Sequence, residues 1–298
     1  MLKKVLRTFL PNPLDQILRK AKKNGSKKFL LGWNRGLGDI ALGLYAIVKR
    51  IKDFIPDAEI TFLTRKNLHE GFSLLEGVDI ILSPQWQRHK SYDVKTTLKE
   101  LGKKSSDYDV IIDQPDPTYW VKWQLGKLSP RLVWPKCYDD LYKKFSLPKG
   151  KTFIGVQPLG ETNYNLWRNW PEKKWKQFFS LSLKKKEIVF LLFGINKDPV
   201  FDDPNVIDLR GKTNVFEILS VMKNLCKKVI LPDSGILSLL YFLDDTFPIE
   251  VISIWAKTNH GILKQNVLSP NKLLKHIAIR AKDQNLQNLS IDEVFERL

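Results

Sequence analysis

A chain of 298 residues, 43% of them hydrophobic, is long enough to bury a core of one or two domains and too apolar to be disordered. Its 49 Lys and Arg against 32 Asp and Glu leave a net charge of +17, which favours anionic partners such as acidic lipid, phosphorylated small molecules or nucleic acid. Two cysteines without CxxC spacing exclude a disulfide framework and a thiolate zinc site and fit a reducing compartment.

Residues 1–28 hold nine Lys or Arg and one Asp, with Leu2, Val5, Leu6 and Phe9 and then Leu14, Ile17, Leu18 and Ala21 at helical spacing around Pro11 and Pro13. This is a basic amphipathic segment. It has no long apolar stretch or small-residue cleavage site, so it does not read as a signal peptide. Its apolar face either packs on its own domain or lies on anionic lipid. Runs such as Ile188 to Phe193 fall far short of the ~20 apolar residues that cross a bilayer.

From residue 28 short β-rich runs alternate with helical periodicity: 28–33, 59–64, 78–82 and 108–113, with a weak fifth run at 131–134. Such a βαβα order dictates a parallel sheet with helices on both faces. The stretch "FSLPKGKT" at 145–152 reads as a linker. Beyond it the alternation restarts at 152–158, 187–194, 205–209, 228–232 and 249–255, with helices opening at Pro171, at Val215 behind an Asn214/Glu217 capping pair, and after Gly235. The expected architecture is α/β, two Rossmann-like parallel-sheet domains facing each other across a cleft. The expected divisions are 1–28 for the basic segment, 29–148 and 149–270 for the two domains, and 271–298 for a helix that crosses back to the first.

Three glycine or small-residue turns compete for the chemistry. Gly36-x-Gly38-x-x-Ala41 fits the dinucleotide fingerprint, but Asp39 stands where the pyrophosphate would lie and would repel it. Arg65, after the second strand, keeps open a 2′-phosphate. Asp39 itself either caps the following helix or, approachable beside glycines, accepts a proton from a substrate hydroxyl. "RGKT" at 210–213 is no P-loop, because Val206 occupies the required glycine position. Asp233-Ser234-Gly235, between a strand and an apolar helix, is either an N-cap or an anion seat. The four histidines form no cluster in sequence.

Three stretches in order, "GLGDIALGL", "PLGETNYNLWRNWPEKKWKQF" and "DLRGKTNVFEILSVMKNLCKKVILPDSG", resemble the bacterial heptosyltransferases of lipopolysaccharide core synthesis, glycosyltransferases of GT-B architecture. The resemblance spans most of residues 29–256. It implies an acceptor-binding first half containing Gly36 and Gly38, in which Asp39 is the base that activates the acceptor hydroxyl. It implies a second half that binds a nucleotide sugar of the ADP-heptose kind. There Arg168 holds the diphosphate, Thr162 offers a hydroxyl, Asp233, Ser234 and Gly235 form a phosphate-facing turn, and Asp198 is the candidate ribose ligand. Transfer would be inverting, with no cofactor and no metal, onto a lipopolysaccharide core or lipid A acceptor, a phosphorylated lipid or oligosaccharide. The protein would be cytoplasmic, peripheral at the inner face of the inner membrane, on an anionic surface; no nucleic acid is expected. The alternative is a non-catalytic scaffold of the same architecture that binds an anionic lipid or glycan. Ser238 stands where the resembled family carries His, and Tyr45 lies near where it carries Pro.

Overall fold

The computed structural model describes residues 12–88, 90–160 and 168–298. The chain divides into two compact units between Pro130 and Arg131, upstream of the 145–152 stretch whose composition suggests a linker. Ion pairs explain the difference. Lys223, with 7% of its side chain exposed, pairs with Asp139 and, at 3.0 Å, with Asp245, and Lys144 meets Glu217 at 2.6 Å. These bonds fasten 136–144 to the second unit. The weak run at 131–134 contributes a single bridge, Leu132 to Leu243.

In the first unit, α1 (Pro13–Lys23) is followed by β1 (Lys28–Trp33), a wide turn at Ile40–Leu44, α2 (Tyr45–Phe54), β2 (Glu59–Arg65), α3 (His69–Phe72), β3 (Asp79–Ser83), α4 (Val94–Glu100) and β4 (Val110–Ile112). The sheet is parallel, ordered β3-β2-β1-β4. Its centre is "FLLGW", buried throughout because helices or loops cover both faces. Asn12 starts α1, its side chain accepting from the Leu14 amide at 3.0 Å. Leu14, Leu18 and Ala21, at i, i+4 and i+7, are buried, and burial of each leucine is worth roughly 1.5–3 kcal/mol. Arg50 on α2 grips Asp15 with a two-pronged bond of 2.9 and 2.8 Å. The apolar face of this helix is therefore engaged by its own unit, while Arg19, Lys20, Lys22 and Lys23 face solvent. Residues 1–11 of the basic segment lie outside the described residues.

The second unit continues with β5 (Thr152–Val156), α5 (Glu172–Ser182), β6 (Ile188–Leu192), β7 (Val206–Asp208), α6 (Val215–Leu225), β8 (Cys226–Pro232), α7 (Gly235–Tyr241), β9 (Ile249–Trp255), α8 (Gly261–Gln265), β10 (Leu274–Arg280) and α9 (Ile291–Phe295). Its six parallel strands run β10-β9-β8-β5-β6-β7. Trp170, Trp175, Phe178, Phe179 and Phe190 form a fully buried aromatic core, and Asn214 and Glu217 form the expected reciprocal cap on α6. The 271–298 tail departs from the single helix expected. "LKHIAIR" pairs with β9 as an edge strand, because Ile277, Ile279 and then Ala281 fall on one face at a period of two. Leu286, Leu289 and Val294 then complete the second unit's own core. Among the described residues no helix is long and apolar enough to cross a membrane.

Candidate functional sites

In each sheet the strand order reverses once, between β1 and β4 in the first unit and between β5 and β8 in the second. Loops leaving the carboxyl ends of parallel strands on either side of such a reversal diverge and leave a crevice where ligands bind. Both carboxylate-bearing turns singled out in the sequence sit there. Asp39 follows β1, and Asp233 follows β8.

Asp39 stands immediately before the wide turn at 40–44, and its side chain makes no capping bond to it. The carboxylate instead folds back and accepts a hydrogen bond from the Gly36 amide at 3.2 Å. A Cβ on residue 36 would lie 2.7 Å from Asp39 Oδ2, so glycine is there to admit the carboxylate. The loop around it is fixed from below. Buried Arg65 donates to the Arg35 carbonyl at 2.9 Å and to Asn67 at 2.6 Å, so it props the loop and is not laid out for a 2′-phosphate. Thr64 donates to the Trp33 carbonyl at 2.7 Å, and Trp33 Nε1 reaches the Gly36 carbonyl at 3.3 Å. Tyr92 donates to the Asp113 carbonyl at 2.6 Å, tying the β4 end to the site, and burial pushes its phenol up to about 12, which keeps it protonated. A Cβ on residue 43 would meet the Pro117 carbonyl at 2.1 Å, so the turn after Asp39 packs directly on the β4 loop. Gly38 contributes its carbonyl to the Leu42 amide at 3.0 Å. At the ends of β1 and β3 a polar cavity of about 230 Å³ opens, lined by Asn34, Gln85, Trp86, Tyr92 and Glu100 among others.

In the second unit Ser234 is the cap of α7, accepting from the Leu237 amide at 3.2 Å and donating to Gln157 Oε1 at 2.8 Å. Since Gln157 follows β5, this bond spans the strand reversal. Gly235 opens the helix with its amide at the carboxyl edge. Arg168 Nη1 lies 3.6 Å from Asp233 Oδ2, with 13% of the Asp233 side chain exposed. Burial pushes the Asp233 carboxyl up from its usual range, against the opposing pull of Arg168 and His260. The Asp233 side chain, paired with Arg168, thus stands beside the turn's amides.

His260, Gly261 and Gln157 are site residues that the sequence reading missed. Gly261 has φ of 48°, and a Cβ there would stand 2.5 Å from Asp233 Oδ1 and 2.7 Å from Trp255. Trp255 is buried beside Gly261. Its Nε1 donates to Ser253 Oγ at 2.6 Å, and that oxygen is 2.7 Å from His276 Nε2, whose ring is pushed down to about 4 by burial and stays neutral. The signal available was position alone, since 256–261 follows the strand at 249–255.

The remaining expected site residues fare differently. Thr162 lies outside the described residues. Asp198 is exposed on the loop after β6 and makes no hydrogen bond or ion pair among the described residues, so nothing ties it to the Asp233 turn. Trp170, two residues after Arg168, is buried and donates to the Leu289 carbonyl at 3.0 Å. Ser238, 2% exposed, donates to the Ser234 carbonyl at 3.1 Å. In "RGKT", Arg210 is buried and grips Asp208 and the Pro199 carbonyl, a structural role. Among the described residues no group of three or more His, Cys, Asp or Glu is placed to hold a metal.

No protein-family model matches the chain, and no curated protein does either. Solved structures do. ADP-heptose LPS heptosyltransferase II of E. coli superposes with a TM-score of 0.62 at 14% identity, covering 91% of this chain and 96% of that one. The fold is that of the heptosyltransferases. A family 9 glycosyl transferase from Veillonella parvula gives 0.59 at 13% identity, with 91% and 95% covered. E. coli heptosyltransferase WaaC with ADP gives 0.53 at 16% identity, with 91% and 98% covered. Two parallel-sheet α/β units are the fold that this chain shares with those structures.

Asp233 yields a stability prediction with a definite sign. An acid whose native value is raised holds its proton more tightly when folded, so its contribution is fullest at low pH and is lost as pH rises through the raised native value. Asp233→Asn removes that ionisation. Thermal melts should show the variant more stable than the parent at about pH 7, the gap closing as pH falls into the carboxylate range, to about 4. A variant less stable at neutral pH would show that the pairing with Arg168 outweighs the burial.

Proposed function

We propose that this protein is a glycosyltransferase that moves a heptose or similar sugar from a nucleotide diphosphate donor to a phosphorylated, lipid-linked oligosaccharide acceptor, by inverting transfer without a metal. The observation that carries the reading is the pair of strand-reversal sites of opposite character: a carboxylate held off its helix in one unit, and an Arg168 and amide-bearing turn in the other. Support also comes from the shared fold, one of whose solved examples is a heptosyltransferase with ADP.

In this reading Asp39 takes the proton from the acceptor hydroxyl, and that oxygen attacks the anomeric carbon. The bond from carbon to the pyrophosphate oxygen breaks, its electron pair leaves with the nucleoside diphosphate, and a single in-line displacement inverts the centre. Charge developing on the leaving group falls to Arg168, whose planar fork matches phosphate oxygens, and to the amides at the start of α7. Sugar hydroxyls of the acceptor are assigned to the polar cavity beside Asn34 and Trp86. The exposed cations of α1 are assigned to anionic headgroups at the cytoplasmic face of a membrane, an electrostatic attachment without an inserted apolar face.

Transfer from a panel of nucleotide sugars, followed by mass spectrometry, tests the chemistry. Asp39→Ala should lower turnover by roughly 10²–10⁴-fold while leaving donor binding near the parent value. Gly36→Ala should leave the melting temperature nearly unchanged, since only the mobile end of Asp39 must move, yet lower turnover at least about tenfold by displacing that carboxylate. Full activity in either variant refutes the assignment of the base. A folded protein that transfers from no donor leaves the scaffold alternative standing.

Attachment is checked separately by sedimentation with vesicles. Binding should need anionic lipid, weaken between about 0.05 and 0.5 M salt as charges are screened, and drop at least about 100-fold when Lys20, Lys22 and Lys23 are changed to Glu, at about 1 kcal/mol per charge near the surface. Equal binding to neutral vesicles would contradict it.

A further inference from the structure

The Asp233 turn poses an electrostatic problem. A pyrophosphate arriving beside Arg168 meets a guanidinium already 3.6 Å from a carboxylate, so much of the attraction it needs is matched by an existing negative charge. Some further positive charge has to appear when the anion does.

The loop after β9 brings the group that can supply it. Gly261 lies so close to Asp233 that a Cβ would stand 2.5 Å from Oδ1, which sets the His260–Gly261 peptide directly against the carboxylate. The His260 ring is half-buried. Four charged groups act on it: Arg168 ahead of α5, Asp233 just after β8, and Lys257 and Lys264 on the loop and helix either side of His260 itself. Burial, Arg168 and the two lysines disfavour a second charge there, and Asp233 alone favours it, so the empty site holds the imidazole neutral below its ordinary range. Adding two phosphate charges reverses this balance. The three cations then have an anion to share, and a proton on His260 becomes the least costly way to complete the match.

We propose that His260 takes up one proton from solvent as the diphosphate of a nucleotide donor seats beside Arg168 and the Ser234 turn, and that the resulting imidazolium offsets Asp233 and binds the pyrophosphate. This rests on the donor-site reading given above. His260 is thereby a ligand of the leaving group in the ground state and as negative charge grows on it. Asp233 holds the loop and favours the proton, which gives its buried carboxylate a task beyond pairing with Arg168. The donor site thus gains one positive charge as the diphosphate enters.

Four histidines in the whole chain, His69, His89, His260 and His276, make the proton directly observable. In protein carrying ring-labelled histidine, NMR titration follows each imidazole with pH, and H260Q or H260N assigns the relevant signal by its disappearance. The probes are ADP-glucose, GDP-mannose and UDP-glucose, whose diester pyrophosphates do not themselves titrate near neutrality. The titration midpoint of His260 should rise by about one pH unit or more when a probe is bound, while the buried His276 stays put. Affinity of H260Q should be about tenfold weaker than the parent near pH 6 and similar near pH 9, where neither protein has a charge at this position. A probe that binds while the His260 midpoint stays or falls overturns the proposal and leaves the donor site intact. Failure of every probe to bind overturns both.

Discussion

A carboxylate just ahead of a helix ordinarily turns inward to satisfy the helix's unpaired amides. Asp39 does not, because the Gly36 amide lies within reach and residue 36 has no Cβ to block the approach. That backbone hydrogen bond and the missing methyl turn the Asp39 carboxylate away from the helix. The bonds beneath it serve the same end. Arg65 holds the Arg35 carbonyl, Trp33 holds the Gly36 carbonyl, and the Gly43 turn packs on Pro117. A base that must meet a hydroxyl gains from such fixing, since misplacement of about an ångström costs on the order of 100-fold.

The second unit solves the converse problem. In the proposed reading it has to hold the doubly charged pyrophosphate of a donor where Arg168 already faces a carboxylate. Its means are the Ser234 cap, the bond from Ser234 to Gln157 across the strand reversal, the Arg168–Asp233 pair, and the His260–Gly261 loop set against Asp233 and Trp255. Buried ion pairs contribute little net stability, and their desolvation can exceed the attraction. That Asp233 is kept under these conditions fits a role in ligand handling better than a role in holding the fold.

How much of this was legible depends on how far each signal reaches along the chain. Strand alternation, the Asn214/Glu217 cap and the Ser234 turn are local patterns, and the structure repeats them with small changes of boundary. The folding back of Asp39 was not readable, because a capping Asp and a catalytic Asp occupy the same position and differ only in side-chain direction. His260 was invisible for another reason: it comes 27 residues after Asp233 in the sequence, and only the adjacency of β8 and β9 brings them together. The tail was misread because 274–280 satisfies a helical spacing almost as well as a strand period, and pairing with β9 decides between them. The N-terminal helix gave its apolar face away by spacing, but its neighbour Arg50 was needed to show which surface that face covers.

The account stands on the division of charge between the two units, and a structure determined with a nucleotide sugar bound tests it most directly. The account predicts pyrophosphate density against Arg168, Ser234 and Gly235 in the second unit, with Asp39 left clear of it. Pyrophosphate seated on the Gly36–Asp39 turn would contradict it.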